Sequence, residues 1–272
     1  MEILKLTRAE VPDRSRIALF SDVHFPHADV PALKIFIEIC EDWGVTHTIG
    51  NGDIFDCGPA SRHEGKKAEA VITEGTLRES VATGEWFWKW LRTRRCIYGR
   101  GNHEGWVDQL IAKSPELHGT DPMELMGLPG NDGRWTVLPP KYRIKIGSWN
   151  IEHGDGFFPS GSGGQSPWTR IRSLAPDQTT SIGHLHRRFF VPWTTLDSNG
   201  IACERAAKGN GHVSLPEAHE GYAGSYTSWQ QSIELAEVHY VDGKPRFEFL
   251  QPMIHRDKRG RPFCLFGGKE YR

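Results

Sequence analysis

Five short polar motifs occur in order along this 272-residue chain: Asp22-Val23-His24, Gly52-Asp53-Ile54-Phe55-Asp56, Gly101-Asn102-His103-Glu104, His153-Gly154-Asp155 and Gly183-His184-Leu185-His186. Their side chains offer carboxylate oxygen, amide oxygen and imidazole nitrogen, with no thiolate. That donor set suits manganese, iron or zinc in an open catalytic site better than a closed structural zinc site. Asp22 and His24 stand two residues apart, so on an extended segment they share a face and can grip one ion; His184 and His186 repeat the spacing. With Asp53 as a carboxylate able to bridge, the pattern predicts two divalent cations roughly 3.5–4 Å apart, a spacing used to split phosphoesters. Such a pair lowers the pKa of a bridging water from about 15.7 towards neutrality and neutralises charge on phosphoryl oxygens, so no nucleophilic Ser or Cys is needed. Singly, each motif reads as a turn or as a hydrogen-bonded histidine. Unrelated turns would not fall in this order.

The elements that must position these motifs are legible as apolar runs ahead of them. Arg16 to Ser21, Thr46 to Gly50 and Arg95 to Tyr98 read as strands, with a helix over Pro31 to Trp43 and a short one over Gly105 to Lys113. Ala68 to Leu91 reads as one long helix or two shorter ones, ending in the aromatic cluster Trp86, Phe87, Trp88 and Trp90. Alternating strands and helices imply a layered α/β architecture, in which the carboxyl ends of strands converge on one crevice. The second half is richer in strands: Trp135 to Leu138, Tyr142 to Ile146, Trp149 to His153, Thr179 to Ile182, Phe189 to Thr195 and Ile233 to Phe249. A helix near Trp168 to Leu174 interrupts the series, and Val241-Asp242-Gly243-Lys244 signals a hairpin. The simplest assembly is a second sheet, built from the second half, packed on the first.

The set DVH, GDIFD, GNHE, HGD and GHLH resembles the calcineurin-like metallophosphoesterase superfamily, and within it the phage and bacterial type of phosphoesterase. The resemblance runs over residues 22–186. It implies a four-layer α/β/β/α sandwich with two mixed sheets and metals at the carboxyl ends of strands. It also implies that Asp22, His24, Asp53 and His186 hold one metal and Asp53, Asn102, His153 and His184 the second. The cations would be manganese first, with iron, zinc, nickel or magnesium as alternatives. His103 matches the family histidine that protonates the leaving oxygen, oriented by the second acid of GDxxD, here Asp56. The GHLH ending favours a phosphodiesterase or nuclease. A phosphomonoesterase acting on nucleotides or proteins is the alternative, and a non-catalytic binding module on the same fold is the alternative of another class. Arg100 precedes GNHE as in protein Ser/Thr phosphatases and is a candidate for phosphate contact, as are Asn102 and, across a short loop, Arg62 and His63. Cys57-Gly58 stands where those phosphatases carry Arg-Gly, which disfavours a protein-phosphatase role.

Composition bounds the rest. Apolar residues make up 38% and charged residues 25%, with ten Trp, as in a globular enzyme, and the length suits one domain over 1–272, residues 187–272 completing the second sheet and a C-terminal segment. Acidic and basic residues number 34 and 33, so no global field draws the chain to nucleic acid or a membrane. The expected partner is a phosphoester, with nucleic acid or a nucleotide admissible through local charge such as Arg170, Arg172, Arg187 and Arg188. No signal segment or apolar span is visible, and five scattered cysteines (Cys40, Cys57, Cys96, Cys203, Cys264) form no Cys-x-x-Cys pair, which predicts a cytoplasmic protein with idle thiols. The Trp86 to Trp90 cluster reads as core rather than as a stacking platform for bases, and His27 and His118 as bystanders.

Overall fold

The computed structural model describes residues 1–60, 74–129, 135–156, 166–197, 199–215 and 229–272. The chain opens with β1 (Glu2–Leu6) and β2 (Arg16–Phe20), and Ile17 to Phe20 are all buried because both faces of β2 are covered. Helix α1 (Val30–Trp43) starts where the Asp29 carboxylate accepts from the Ala32 N–H and stops at Gly44 in the left-handed region (φ 71°). It buries Leu33, Phe36, Ile39 and Cys40 along one stripe. There follow β3 (His47–Asn51), α2 (Glu74–Ala82), α3 (Glu85–Leu91), β4 (Arg95–Gly99), α4 (Glu104–Lys113), α5 (Pro122–Leu125), β5 (Trp135–Leu138), β6 (Tyr142–Ile146) and β7 (Trp149–Glu152). The chain closes with α6 (Pro167–Leu174), β8 (Thr179–Ile182), β9 (Arg188–Leu196), β10 (Ala202–Asn210), β11 (Glu234–Val241), β12 (Lys244–Leu250), β13 (His255–Arg256), β14 (Pro262–Phe266) and β15 (Lys269–Tyr271).

Two six-stranded mixed sheets result. The first runs β12-β11-β2-β3-β4-β5, with β2 to β5 parallel and β11 antiparallel to β2. The second runs β1-β6-β7-β8-β10-β9, with β7, β8 and β10 parallel. Between them lie Ile17, Leu19, Ile49 and Ile97 from one side and Tyr142, Ile144, Ile146, Trp149 and Ile151 from the other. The outer face of the first sheet is covered by α1 to α5 through Phe36, Leu77, Phe87, Trp88, Val107 and Met123. The outer face of the second carries α6, whose Ile171 packs on Ile182, Trp193 and Ala207. This is the α/β/β/α order, its fourth layer thin among the described residues.

The halves of the chain do not each make one sheet, as local pattern predicts. The N-terminal β1 lies parallel to β6 in the second sheet, and the β11–β12 hairpin completes the edge of the first. The last strands form a separate three-stranded sheet against α1 rather than extending the second. Periodicity tells a strand from a helix, but partner choice rests on long-range contacts that leave no local trace. The hairpin turn itself is as expected, with Asp242 (φ 51°) and Gly243 (φ 74°) both in the left-handed region that suits a two-residue turn. Within 74–91 the helical stretch breaks into two at Gly84, where an added Cβ would stand 2.6 Å from the Phe25 ring. The aromatic cluster packs as core only in part: Phe87 and Trp88 are buried, Trp88 meeting Tyr98 and Trp135 edge-on at 4.8 and 4.6 Å, whereas the half-buried Trp90 donates its indole N–H to Glu41 and Trp86 is exposed. No helix among the described residues is long and apolar enough to cross a membrane.

Candidate metal centre

The motif residues lie at the carboxyl ends of five strands drawn from both sheets. Asp22 and His24 follow β2, Asp53 follows β3, Asn102 and His103 follow β4, His153 follows β7, and His184 and His186 follow β8. Asp22, His24, Asp53, His184 and His186 all adopt φ between 52° and 62°, where non-glycine residues are uncommon and each costs about 1–3 kcal/mol. Strain gathered at one place marks side chains aimed for a purpose other than folding. The close approach of the loops also demands glycine: a Cβ at Gly52 (φ 83°) would run into the His153 ring and lie 2.8 Å from Gly101 Cα.

Three overlapping groups have donor atoms within 4.8 Å of one another: Asp22, His24 and His186; Asp53, His153 and His184; and His24, Asp53 and His103. His24 Nε2 faces His186 Nε2 at 3.2 Å, and Asp22 Oδ1 lies 3.2 Å from His186 Nε2 and 3.9 Å from His24 Nε2. His153 Nε2 lies 3.0 Å from both Asp53 Oδ2 and Asn102 Oδ1. The structure thus brings together all seven predicted ligands, and of the two pairs that a two-residue spacing suggests it keeps Asp22 with His24 but parts His184 from His186. His184 joins Asp53 and His186 joins Asp22; all four residues of the two pairs have a left-handed backbone rather than an extended one, so two-residue spacing does not settle which of them share a cluster. Converging imidazole nitrogens and carboxylate oxygens, without a sulfur or an ammonium among them, fit a pair of borderline divalent cations.

The electrostatics agree with that fit. Burial works to raise the Asp22 and Asp53 carboxyls, yet His186 beside Asp22, and His153 and His103 beside Asp53, hold both well below the usual carboxylate range. Burial lowers His24, and burial with the neighbouring His153 lowers His184, which favours the neutral ring that a cation requires. His153 is raised to about 10, burial being outweighed by Asp53. Its Nδ1–H donates to the Asn51 carbonyl at 2.9 Å, so Nε2 is the nitrogen turned to the cluster. His103 is raised to about 9, burial being outweighed by Asp53 and by hydrogen bonding to Asp56. Its Nδ1–H donates to Asp56, 2.8 Å from the backbone oxygen and 3.0 Å from Oδ1, leaving Nε2 at 3.9 Å from Asp53 Oδ2.

Some supporting residues had no role in the sequence reading. The fully buried Glu104 carboxylate accepts from the backbone N–H groups of Asp53, Phe55 and Gly101 at 2.8–3.0 Å and from Tyr98 Oη at 2.7 Å, tying the GDIFD and GNHE loops together. It stood in view as the last letter of GNHE, but its spacing to the loop it clamps is not local. Asn51 takes the Tyr142 hydroxyl at 2.6 Å and donates to the Glu152 carbonyl, linking the sheets beneath His153. His212, two residues past the end of β10, stacks on the His186 ring at 5.3 Å, with Trp229 edge-on to His186 at 4.4 Å.

Other candidates fall elsewhere. Arg100 is buried and its guanidinium is held by Asp108 at 2.7 Å, on the helix after GNHE, rather than by the clustered histidines or carboxylates. Arg62 and His63 lie outside the described residues. Cys57 is buried against Met126 Sδ, and burial raises its thiol well above the usual range, the state of an inert cysteine. His27 is exposed beyond the His24 loop, and His118 lies 3.4 Å from the Ala112 carbonyl.

Residues 15–243 match the family model described as calcineurin-like phosphoesterase. The chain belongs to that family. Calcineurin-like phosphoesterases are generally hydrolases that bind divalent metals, and the paired clusters of this member fit such ions. Among solved structures, the chain is similar to vacuolar protein sorting 29 from Cryptosporidium parvum (12% identity, TM-score 0.41, 88% of this chain and 98% of that one). It is similar also to the protein of that name from Chaetomium thermophilum (12%, 0.44, 94% and 96%) and to a double mutant from Entamoeba histolytica (14%, 0.33, 87% and 98%). No curated protein matches it in sequence.

Proposed function

We propose that this calcineurin-like phosphoesterase hydrolyses phosphoesters at a two-metal centre, with phosphodiesters favoured over monoesters. The observation that carries the reading is the pair of donor clusters, Asp22–His24–His186 and Asp53–His153–His184, meeting at the ends of strands from both sheets, with Asn102 beside His153. Asp22, His24 and His186 would hold one ion and Asn102, His153 and His184 the other, with Asp53 available as a further carboxylate ligand. Manganese is the first metal to try. When bound, two divalent ions supply Lewis acidity that activates water and neutralises phosphoryl charge.

The chain's own residues supply the remaining steps. Asp56 fixes the His103 ring through Nδ1, so the second nitrogen faces the cluster, and the hydrogen bond to Asp56 favours the protonated ring. From Nε2 that proton passes to the departing ester oxygen, which would otherwise leave as an alkoxide. Arg187 and Arg188 are exposed directly beyond His186, where positive charge suits a nucleotide or nucleic acid substrate. All five cysteines are buried and outside any disulfide, which suits a cytoplasmic setting.

Turnover of bis(p-nitrophenyl) phosphate by manganese-loaded protein tests the proposal. Comparison with nitrophenyl phosphate, cyclic nucleotides and single-stranded DNA then ranks substrate classes. Metal-loaded protein inert on every ester would make the chain a binding module instead.

A further inference from the structure

One group of buried polar side chains that the proposed chemistry leaves unused lies between the sheets. Lys208 on β10 and Glu234 at the head of β11 are both fully buried, with the ammonium 2.5 Å from Glu234 Oε1. The same oxygen accepts from Ser181 Oγ at 2.9 Å, and Ser181 Oγ accepts from the Trp149 indole N–H at 2.8 Å. The ammonium also stands 2.8 Å from the centre of the Phe249 ring. Glu234 belongs to the first sheet, whereas Lys208, Ser181 and Trp149 belong to the second. A file of polar contacts therefore crosses a layer otherwise filled by aliphatic and aromatic side chains.

Stability alone is a poor reason for such a pair, since well-packed apolar residues of like volume commonly do as well or better. What charges in contact can add is register, because a displacement that repacks apolar side chains still leaves a separated buried ion pair uncompensated. The position of the pair says what the register serves. Glu234 pairs with Leu19 of β2, three residues before Asp22. Lys208 pairs with Ser181 of β8, three residues before His184.

Beyond those points the two loops meet directly. The His184 N–H donates to the Asp22 carboxylate, at 2.9 and 3.1 Å from its two oxygens, and a Cβ at Gly183 would collide with Ser21 Oγ. Both of the principal donor clusters draw on both sheets: His186 joins Asp22 and His24, while His153 and His184 join Asp53. A slip of one sheet against the other opens both clusters at once.

We infer that Lys208 and Glu234 are positioning residues that set the register of the two sheets so that the two half-sets of donors meet. The inference rests on reading the clusters as a two-cation site. Manganese chloride added to the full chain tests it, with uptake followed by calorimetry and the coupling between ions by electron paramagnetic resonance. Glu234→Asp keeps both charges and shortens the tie by one methylene. Lys208→Met combined with Glu234→Met replaces it with apolar contact.

Both variants are expected to unfold cooperatively, yet to bind manganese about 10-fold more weakly or worse, the scale on which outer support of ligands acts. They should also exchange the coupled two-ion signal for that of isolated ions. A folded variant of either kind with wild-type affinity and a coupled signal would overturn the inference. So would loss of folding in both, which would mark the pair as a stability element. Wild-type protein that took up no manganese would sink the two-cation reading, and this inference with it.

Discussion

A histidine held by a carboxylate through one nitrogen has only the other to offer, and for His103 that nitrogen faces the Asp53 side of the cluster. His103→Ala should therefore keep both metals while lowering turnover by on the order of 10²–10⁴ for esters with poor leaving groups. A nitrophenolate, which leaves without help, should suffer less; equal losses on both substrates, or loss of metal in the variant, would refute the assignment. Glu104 makes a different kind of prediction. Its carboxylate gathers three backbone N–H groups and a tyrosine hydroxyl in a fully buried position, and hydrogen bonds to a charged group are worth about 1.5–3 kcal/mol each. Glu104→Ala should cost at least about 3 kcal/mol in urea unfolding, since the abandoned donors find no water there.

At the scale of elements, the Lys208–Glu234 pair joins β10 to β11 across the sandwich. Lys208→Met leaves a buried carboxylate without its partner and should destabilise by roughly 3–5 kcal/mol, with much of the loss recovered when Glu234→Met is added. The pH dependence has a definite sign. Burial pushes the Lys208 ammonium down to about 7, against the attraction of Glu234. Between about 7 and the unfolded value of 10.5, the unfolded chain binds the additional proton, so the contribution of this group to stability rises with pH across that window. Urea unfolding at pH 7 and pH 9 should show a rise in the wild type that Lys208→Met flattens.

For the whole molecule, metal binding and folding should be linked. In the metal-free chain His153 is raised to about 10, so near neutrality it carries a proton that a cation at Nε2 must displace. Calorimetric titration with manganese in two buffers of different ionisation enthalpy should show at least one proton released, with apparent affinity rising with pH. Manganese at a hundred times its dissociation constant adds about 2.7 kcal/mol per site. Chelation should therefore lower the melting temperature by several degrees, at roughly 2–4 °C per kcal/mol for a domain of this size class. A melting curve indifferent to chelator would contradict metal binding at the clusters.

Much of this protein was written locally. The types of the seven donors, the strand runs before them, the helix that begins near Pro31 and the Asp242-Gly243 turn all follow from short-range rules of side-chain chemistry and backbone geometry. The tertiary structure parted His184 from His186 while keeping Asp22 with His24, a distinction that two-residue spacing does not encode. It also decided that β1 and the β11–β12 hairpin exchange sheets relative to their place in the chain, and that Glu104 clamps two loops and Asp108 takes Arg100. Such partnerships join residues far apart in sequence, and their energies reside in contacts that exist only once the sheets have packed.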